Sequence, residues 1–254
     1  MTDSCKVEAL EEASLLYREP ALYAEMADAE AVDTAAAIVA LADRHGPAGA
    51  DSLLDVGCGT GAVLEQLACK YSKSAGVDLL PGMIEISRER RPQLETYVGD
   101  MRTIRLGRSF EVVTCIGNAL AYLTAPDDIE AAFATFAGHC VPGGVLVIRT
   151  LTAFPPLDRS RTSRTRVSGR SANVTTTYTR DPAAEVLILT RHWDFEDREP
   201  ATDVIRRRVL TIGEQESFAA AAGFTLVRPR DEDEDMTIFI RDDAGDLRSG
   251  VADD

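Results

Sequence analysis

Three glycines and three aspartates carry the chemistry legible in this chain. The run Leu53-Leu54-Asp55-Val56-Gly57-Cys58-Gly59-Thr60-Gly61 passes from an apolar stretch straight into closely spaced glycines. Glycines at such a junction tolerate positive φ, and their missing side chains let backbone amides approach a ligand. A nucleotide-like molecule suits that loop. Asp78 follows Gly61 by 17 residues, at the end of a second apolar run, where its carboxylate can accept hydrogen bonds from both hydroxyls of a ribose. Asp100, in Gly99-Asp100-Met101, ends a third run and offers a carboxylate to an adenine amino group, with Met101 as an apolar wall.

The glycine run alone is ambiguous, because Gly57-x-Gly59-x-x-Ala62 also satisfies the dinucleotide pattern that holds a pyrophosphate at a helix terminus. Charge separates the two ligands. Asp55, Asp78 and Asp100 would repel a pyrophosphate, whereas a sulfonium carrying an α-amino group is cationic at that end. The sign favours S-adenosylmethionine over NAD.

The elements that position these residues follow from periodicity. Residues 10 to 45 are rich in Ala, Leu and Glu and read as a helical preface stopping at Gly46-Pro47. Strands are expected over 51–57, 74–79, 95–100, 110–117 and 145–150, with helices over 63–71, 81–90 and 127–139 between them. Short apolar strands alternating with helices predict an α/β fold, doubly wound, with a mostly parallel sheet covered on both faces. The pattern changes after residue 150. Residues 151–169, dense in Pro, Ser, Thr and Arg, predict a loop. Strand-like runs over 174–180, 185–195 and 203–212 predict an antiparallel meander. A helix over 214–222 precedes two more strands flanking the acidic turn 231–235, and residues 243–254 read as a frayed acidic tail.

Composition bounds the rest. The 254 residues include 27 basic and 42 acidic side chains, a net charge of −15 that argues against a nucleic-acid partner. With 45% apolar and 27% charged residues, the chain can bury a large core. No window suits a membrane helix and the first residues carry no secretory signal, so a cytoplasmic location and no membrane partner are expected. Five scattered cysteines argue against a disulfide framework, and three distant histidines predict no metal site.

LDVGCGTG at 54–61, VDLLPGM at 77–83, GDM at 99–101 and Pro142-Gly143-Gly144 before an apolar strand resemble the class I S-adenosylmethionine-dependent methyltransferases. The resemblance spans roughly residues 50–150. It implies a seven-stranded Rossmann-like sheet whose last strand is antiparallel, with S-adenosyl-L-methionine as cofactor. By position, Gly57, Cys58, Gly59 and Gly61 would line the methionine portion and Asp78 the ribose. Leu79 and Met83 would face the adenine, Asp100 and Met101 its edge, with Ile116 completing the pocket. Asp55 would orient the loop. Tyr23, and less so Tyr17, falls where the related enzymes fold an amino-terminal helix over the donor.

The implied organisation is a helical lid over 1–48, a donor-binding core over 49–150 and 214–242, an inserted antiparallel β-layer over 151–213, and the tail. The segment Cys115 to Leu123 is similar to the corresponding stretch of glycine N-methyltransferases, and RLGRSF before it to amino-sugar N,N-dimethyltransferases. Arg149 does not occupy the place where a glycine-specific site would hold an acceptor carboxylate. Asn118 and Tyr122 are the acceptor-side candidates, with His192 as the candidate base if the acceptor is a hydroxyl. Arg159, Arg161, Arg164, Arg166 and Arg170 form a basic segment suited to a solvated loop or to an anionic acceptor. The expected function is methyl transfer to a small-molecule amine in secondary metabolism, by a homodimer. Its rivals are O-methylation, and a non-catalytic protein that only binds the donor.

Overall fold

The computed structural model describes residues 3–167, 170–182, 184–227 and 236–243. Four helices open the chain: α1 (Asp3–Ala13), α2 (Leu15–Arg18), α3 (Pro20–Asp28) and α4 (Ala31–His45). The α/β alternation follows as β1 (Ser52–Val56), α5 (Ala62–Ala68), β2 (Lys73–Asp78), α6 (Pro81–Arg90), β3 (Glu95–Val98) and β4 (Phe110–Cys115). A 3₁₀ turn (Leu120–Tyr122), α7 (Pro126–His139) and β5 (Cys140–Ile148) complete it. Antiparallel strands come next: β6 (Ser160–Val167), β7 (Arg170–Arg180), β8 (Val186–Phe195) and β9 (Ala201–Arg208). The chain then returns through α8 (Ile212–Ala221), β10 (Phe224–Val227) and β11 (Thr237–Arg241).

Seven strands form one sheet in the order β10-β11-β5-β4-β1-β2-β3, parallel except for β11, which runs antiparallel to both neighbours. Alternate residues of the central strands enter opposite cores. Leu54, Val113 and Leu146 pack with α7 residues Phe133 and Phe136, while Leu53, Val112 and Val147 pack with α4 and α5 residues Ile38, Leu41 and Leu64. Coverage on both faces explains why these strands read as unbroken apolar runs. Chain order reverses between β1 and β4, and the loops leaving their carboxyl ends meet there, the place where open α/β sheets bind ligands.

The second sheet, β6-β7-β8-β9, is antiparallel and has four strands where three were expected. The predicted loop over 151–169 is wrong at its far end. Ser160–Val167 pairs with β7 along eight residues in unbroken register. Arg161, Thr162, Ser163 and Arg164 are all exposed, so these residues of the edge strand give no alternating pattern of burial. Long charged side chains on such an edge discourage pairing with another chain. The acidic turn 231–235 and the tail beyond residue 243 lie outside the described residues.

A third apolar core joins the preface to the second sheet. Leu15, Leu16 and Leu22 pack against Ala172, Val174, Trp193 and Phe195. Glu19 and Arg198 add a two-pronged ion pair at 2.7 and 2.9 Å. Helices α2 and α3 are therefore docked on the second sheet as well as over the first. Among the described residues, no helix is long and apolar enough to cross a membrane, and no cluster of three metal-ligating side chains occurs.

Candidate functional site

A cavity of ≈ 310 Å³ lies over the carboxyl ends of the parallel strands, near the lower end of the roughly 300–1,000 Å³ typical of small-molecule sites. Gly57 and Gly59 form its floor, Asp78, Leu79 and Met83 one wall, and Asp100 and Met101 another. Ile116 and Tyr122 come from the β4 side, and Tyr17 and Tyr23 from the preface. The sequence candidates Tyr23, Gly57, Gly59, Asp78, Leu79, Met83, Asp100, Met101, Ile116 and Tyr122 are thus brought together.

Five others are not at the cavity wall. Asp55 is buried behind the loop, where it accepts a hydrogen bond from Thr114 Oγ1 at 2.7 Å. Cys58 points down onto Gly76, whose own Cβ, if present, would lie 2.7 Å from the sulfur. Burial pushes its thiol well above the usual range, so it remains protonated. Gly61 turns against Ser87 and Leu94. Asn118 adopts φ 63° in the bend after β4 and its amide donates to the Arg149 carbonyl.

His192 stands on the exposed outer face of the second sheet, beside Thr202. It does not reach the cavity and cannot serve there as a base. Its neighbours on β8 explain why: Leu187, Leu189, Trp193 and Phe195 alternate inward, which turns His192 out.

The glycine loop works by clearance. A Cβ on Gly57 would fall 2.5 Å from Ala119 Cβ in the opposing loop, and one on Gly59 would fall 3.0 Å from the Tyr23 ring. Both glycines adopt positive φ, 81° and 54°. The expectation that the loop amides face a ligand is corrected. Gly57 and Cys58 both donate to the Val77 carbonyl, at 2.7 and 3.0 Å, and Gly61 donates to Cys58. Gly59 donates to Asp78 Oδ2 at 2.8 Å. A pyrophosphate needs such donors free; a cationic ligand does not.

Asp78 accepts from Gly59 and, through Oδ1, from the Leu80 amide at 2.9 Å. A carboxylate offers about four lone-pair positions, so with the Leu79 amide also directed at it Asp78 keeps capacity for a ligand hydroxyl. Burial raises its pKa, against the lowering effect of those backbone bonds. Asp100 is different. Arg102 Nε lies 2.8 and 3.0 Å from its two oxygens, and Lys6 Nζ 3.9 Å away. Arg102 also reaches Asp128 at 2.8 Å. This corner is charge-compensated, so the negative potential of the cavity comes mainly from Asp78. Arg102, Lys6 and Asp128 were missed by sequence reasoning; only Arg102, two residues beyond Asp100, gave a local signal.

Asp55 has a pKa pushed up to about 7, by burial first and by Asp78 second, against the Thr114 hydrogen bond. The folded state therefore keeps a proton that the unfolded chain releases near the ordinary value of about 3.9. Stability from this group is complete below pH ~4 and is lost as pH rises to about 7. Asp55→Asn, which keeps an acceptor for Thr114, should gain on the wild type through that window and hold the gain above it. Thermal denaturation at pH 5 and pH 8 checks this; an equal difference at both pH values would refute it.

The residues present fit an adenosyl ligand with a cationic arm: a side-chain-free floor, a carboxylate with capacity for a hydroxyl, and apolar walls from Leu79, Met83 and Met101. Residues 53–144 match a family described as a methyltransferase domain. The chain is 42% identical over 114 residues to dTDP-3-amino-3,6-dideoxy-alpha-D-glucopyranose N,N-dimethyltransferase of Streptomyces fradiae, covering 45% of this chain and 44% of the relative. It is 44% identical over 99 residues to dTDP-4-amino-2,3,4,6-tetradeoxy-D-glucose N,N-dimethyltransferase of Saccharopolyspora spinosa, covering 39% and 40%. The matched stretch thus spans less than half the length of these curated relatives.

Solved structures extend the likeness over the fold. The amino pentose methyltransferase CalS10 of Micromonospora echinaspora, solved with S-adenosylmethionine bound, is 31% identical. That match covers 83% of this chain and 91% of the other, with a TM-score of 0.73. Streptomyces venezuelae DesVI is 26% identical over 87% of this chain and 97% of its own, with a TM-score of 0.77. With glycine floor, strand-end carboxylate, sheet order and relatives in agreement, the chain belongs to the class I S-adenosylmethionine-dependent methyltransferases.

Proposed function

We propose that the protein transfers a methyl group from S-adenosylmethionine to the amine nitrogen of a small molecule, an amino sugar foremost. The cavity lining carries this reading. Among its described residues there is no histidine, and its three carboxylates, Asp78, Asp100 and Asp128, are already hydrogen-bonded. Burial holds the hydroxyls of Tyr17 and Tyr23 well above their ordinary pKa. The acceptor end thus offers polar anchors and no base, which suits a neutral amine better than an alcohol. The names of the relatives, amino-sugar and amino-pentose methyltransferases, point the same way.

The donor supplies a methyl carbon activated by the positive charge on sulfur. The chain's residues bind, orient and exclude water. In this reading Asp78 grips the ribose, Leu79 and Met83 flank the base, and Asp100 and Met101 meet its edge. Gly57 and Gly59 give clearance to the methionine arm, Asp55 and Cys58 brace that loop, and Tyr23 closes over it. Residues 1–48 act as the cover, 49–150 and 214–242 as the donor core, and 151–213 as the acceptor layer. Tyr122 is the acceptor-side contact; the positions of Asn118 and His192 give neither a place at the acceptor. Holding the acceptor nitrogen in line and dry can lower the barrier by several kcal/mol.

The net charge of −15 supports a partner other than nucleic acid, and the free buried thiols Cys58, Cys115 and Cys140 support a reducing cytoplasm. Secondary metabolism and a homodimer paired through the second sheet complete the proposal. Labelled-methyl transfer tests the chemistry: dTDP-3-amino-3,6-dideoxyglucose and its 3-hydroxy counterpart are each incubated with labelled donor. Label on the amine alone is expected. Label on the hydroxyl alone would make this an O-methyltransferase, and donor binding with no transfer to an acceptor panel would make it a binding protein.

A further inference from the structure

A series of hydroxyls runs from the glycine loop to the second sheet. Tyr23 stands over Gly59, the Tyr17 ring lies 6.3 Å from Tyr23, and the Tyr122 ring lies 5.8 Å from Tyr17. Arg207 on β9 ends the series, its guanidinium carbon 5.0 Å from the Tyr122 ring centre. The three tyrosines line the cavity, and Arg207 sits behind them.

The hydrogen bonds along this series have a direction. Arg207 Nη2 donates to Tyr122 Oη at 2.9 Å, and the Tyr17 hydroxyl donates to the same oxygen at 2.6 Å. A guanidinium has donors only, so the Arg207 end cannot reverse. Tyr122 Oη therefore accepts from Arg207, and its second partner is the Tyr17 hydroxyl. A side-chain hydrogen bond also links Arg207 to Tyr17, so one guanidinium holds both oxygens of the pair.

We propose that Arg207 is a positioning residue for the acceptor: by holding the Tyr17–Tyr122 pair it fixes Tyr17 Oη at the cavity wall, where a lone pair of that oxygen accepts an amine N–H. An amine held by its N–H has its lone pair set in one direction, which is the requirement of an in-line displacement. The inference rests on the amine reading above and adds to it the residue that sets the geometry. Without Arg207 the two hydroxyls lose the charged group that holds them, and the oxygen facing the amine is no longer fixed in place.

A double-mutant cycle tests this with dTDP-3-amino-3,6-dideoxyglucose as the probe. Arg207→Met and Tyr17→Phe should each lower kcat by about 10- to 100-fold, with affinity for S-adenosylhomocysteine within about twofold of wild type as proof of fold. Arg207→Lys, which keeps a cationic donor, should recover most of kcat. In the Tyr17→Phe background, adding Arg207→Met should change nothing further, because both act through one oxygen. Multiplying losses, an unchanged kcat in Arg207→Met, or an equal loss of S-adenosylhomocysteine affinity would overturn the assignment. A wild-type protein that methylates no amine would overturn the amine reading itself, and this inference with it.

Discussion

Asp78→Ala should weaken binding of S-adenosylhomocysteine by roughly 10²- to 10³-fold. Two hydrogen bonds from a ribose to a charged acceptor are lost, each contributing about 1.5–3 kcal/mol, and the Gly59 and Leu80 amides lose their acceptor at the same time. Asp78→Asn keeps the shape but turns one acceptor into a donor, which opposes either the Gly59 amide or the Leu80 amide. It should fall between wild type and alanine. Calorimetric titration of both variants is the check. Near-wild-type affinity in Asp78→Ala would mean that the diol is not held here.

A second large effect is expected far from the cavity floor. Asp203 is fully buried on β9, where it accepts the Leu15 amide at 2.6 Å and Trp193 Nε1 at 2.9 Å and pairs with Arg191 Nε at 3.0 Å. Ser14 precedes α2 but makes no side-chain cap, so Asp203 serves the helix start from 188 residues away. Asp203→Ala leaves two buried N–H groups without acceptors and a guanidinium without its partner. A loss of about 3–5 kcal/mol is expected. The melting temperature should fall by roughly 10 °C. Because the same carboxylate holds the preface on the second sheet, donor affinity should fall with it. A melting temperature within a degree or two of wild type would show that the apolar contacts of Leu15, Leu16 and Trp193 suffice alone.

How much of this was legible in the sequence depends on the range of the signal. The β1 strand and its glycines announce themselves locally: an apolar run buried on both faces, then residues that adopt φ 81° and 54° without steric cost. Asp78 and Asp100 are legible because strand ends are. β6 was not, since a strand whose described side chains are mostly exposed carries no apolar period, and its Arg and Ser content mimics a loop. His192 was a candidate base only for a hydroxyl acceptor, and the local signal sets it outward: the apolar partners at 187, 189, 193 and 195 fix the opposite face. Contacts such as Leu15 with Asp203, or Lys6 with Asp100, join residues far apart in the chain, and nothing local marks them. The spent amides of Gly57 and Cys58 belong to the same class: their acceptor, Val77, is set by the pairing of β1 with β2.

The central claim is that this cavity holds an adenosyl ligand. Titrating S-adenosylhomocysteine into the full-length protein in a calorimeter measures it directly. One site per chain with micromolar or tighter affinity is the predicted result. No detectable heat from a protein that circular dichroism shows to be folded would contradict the account.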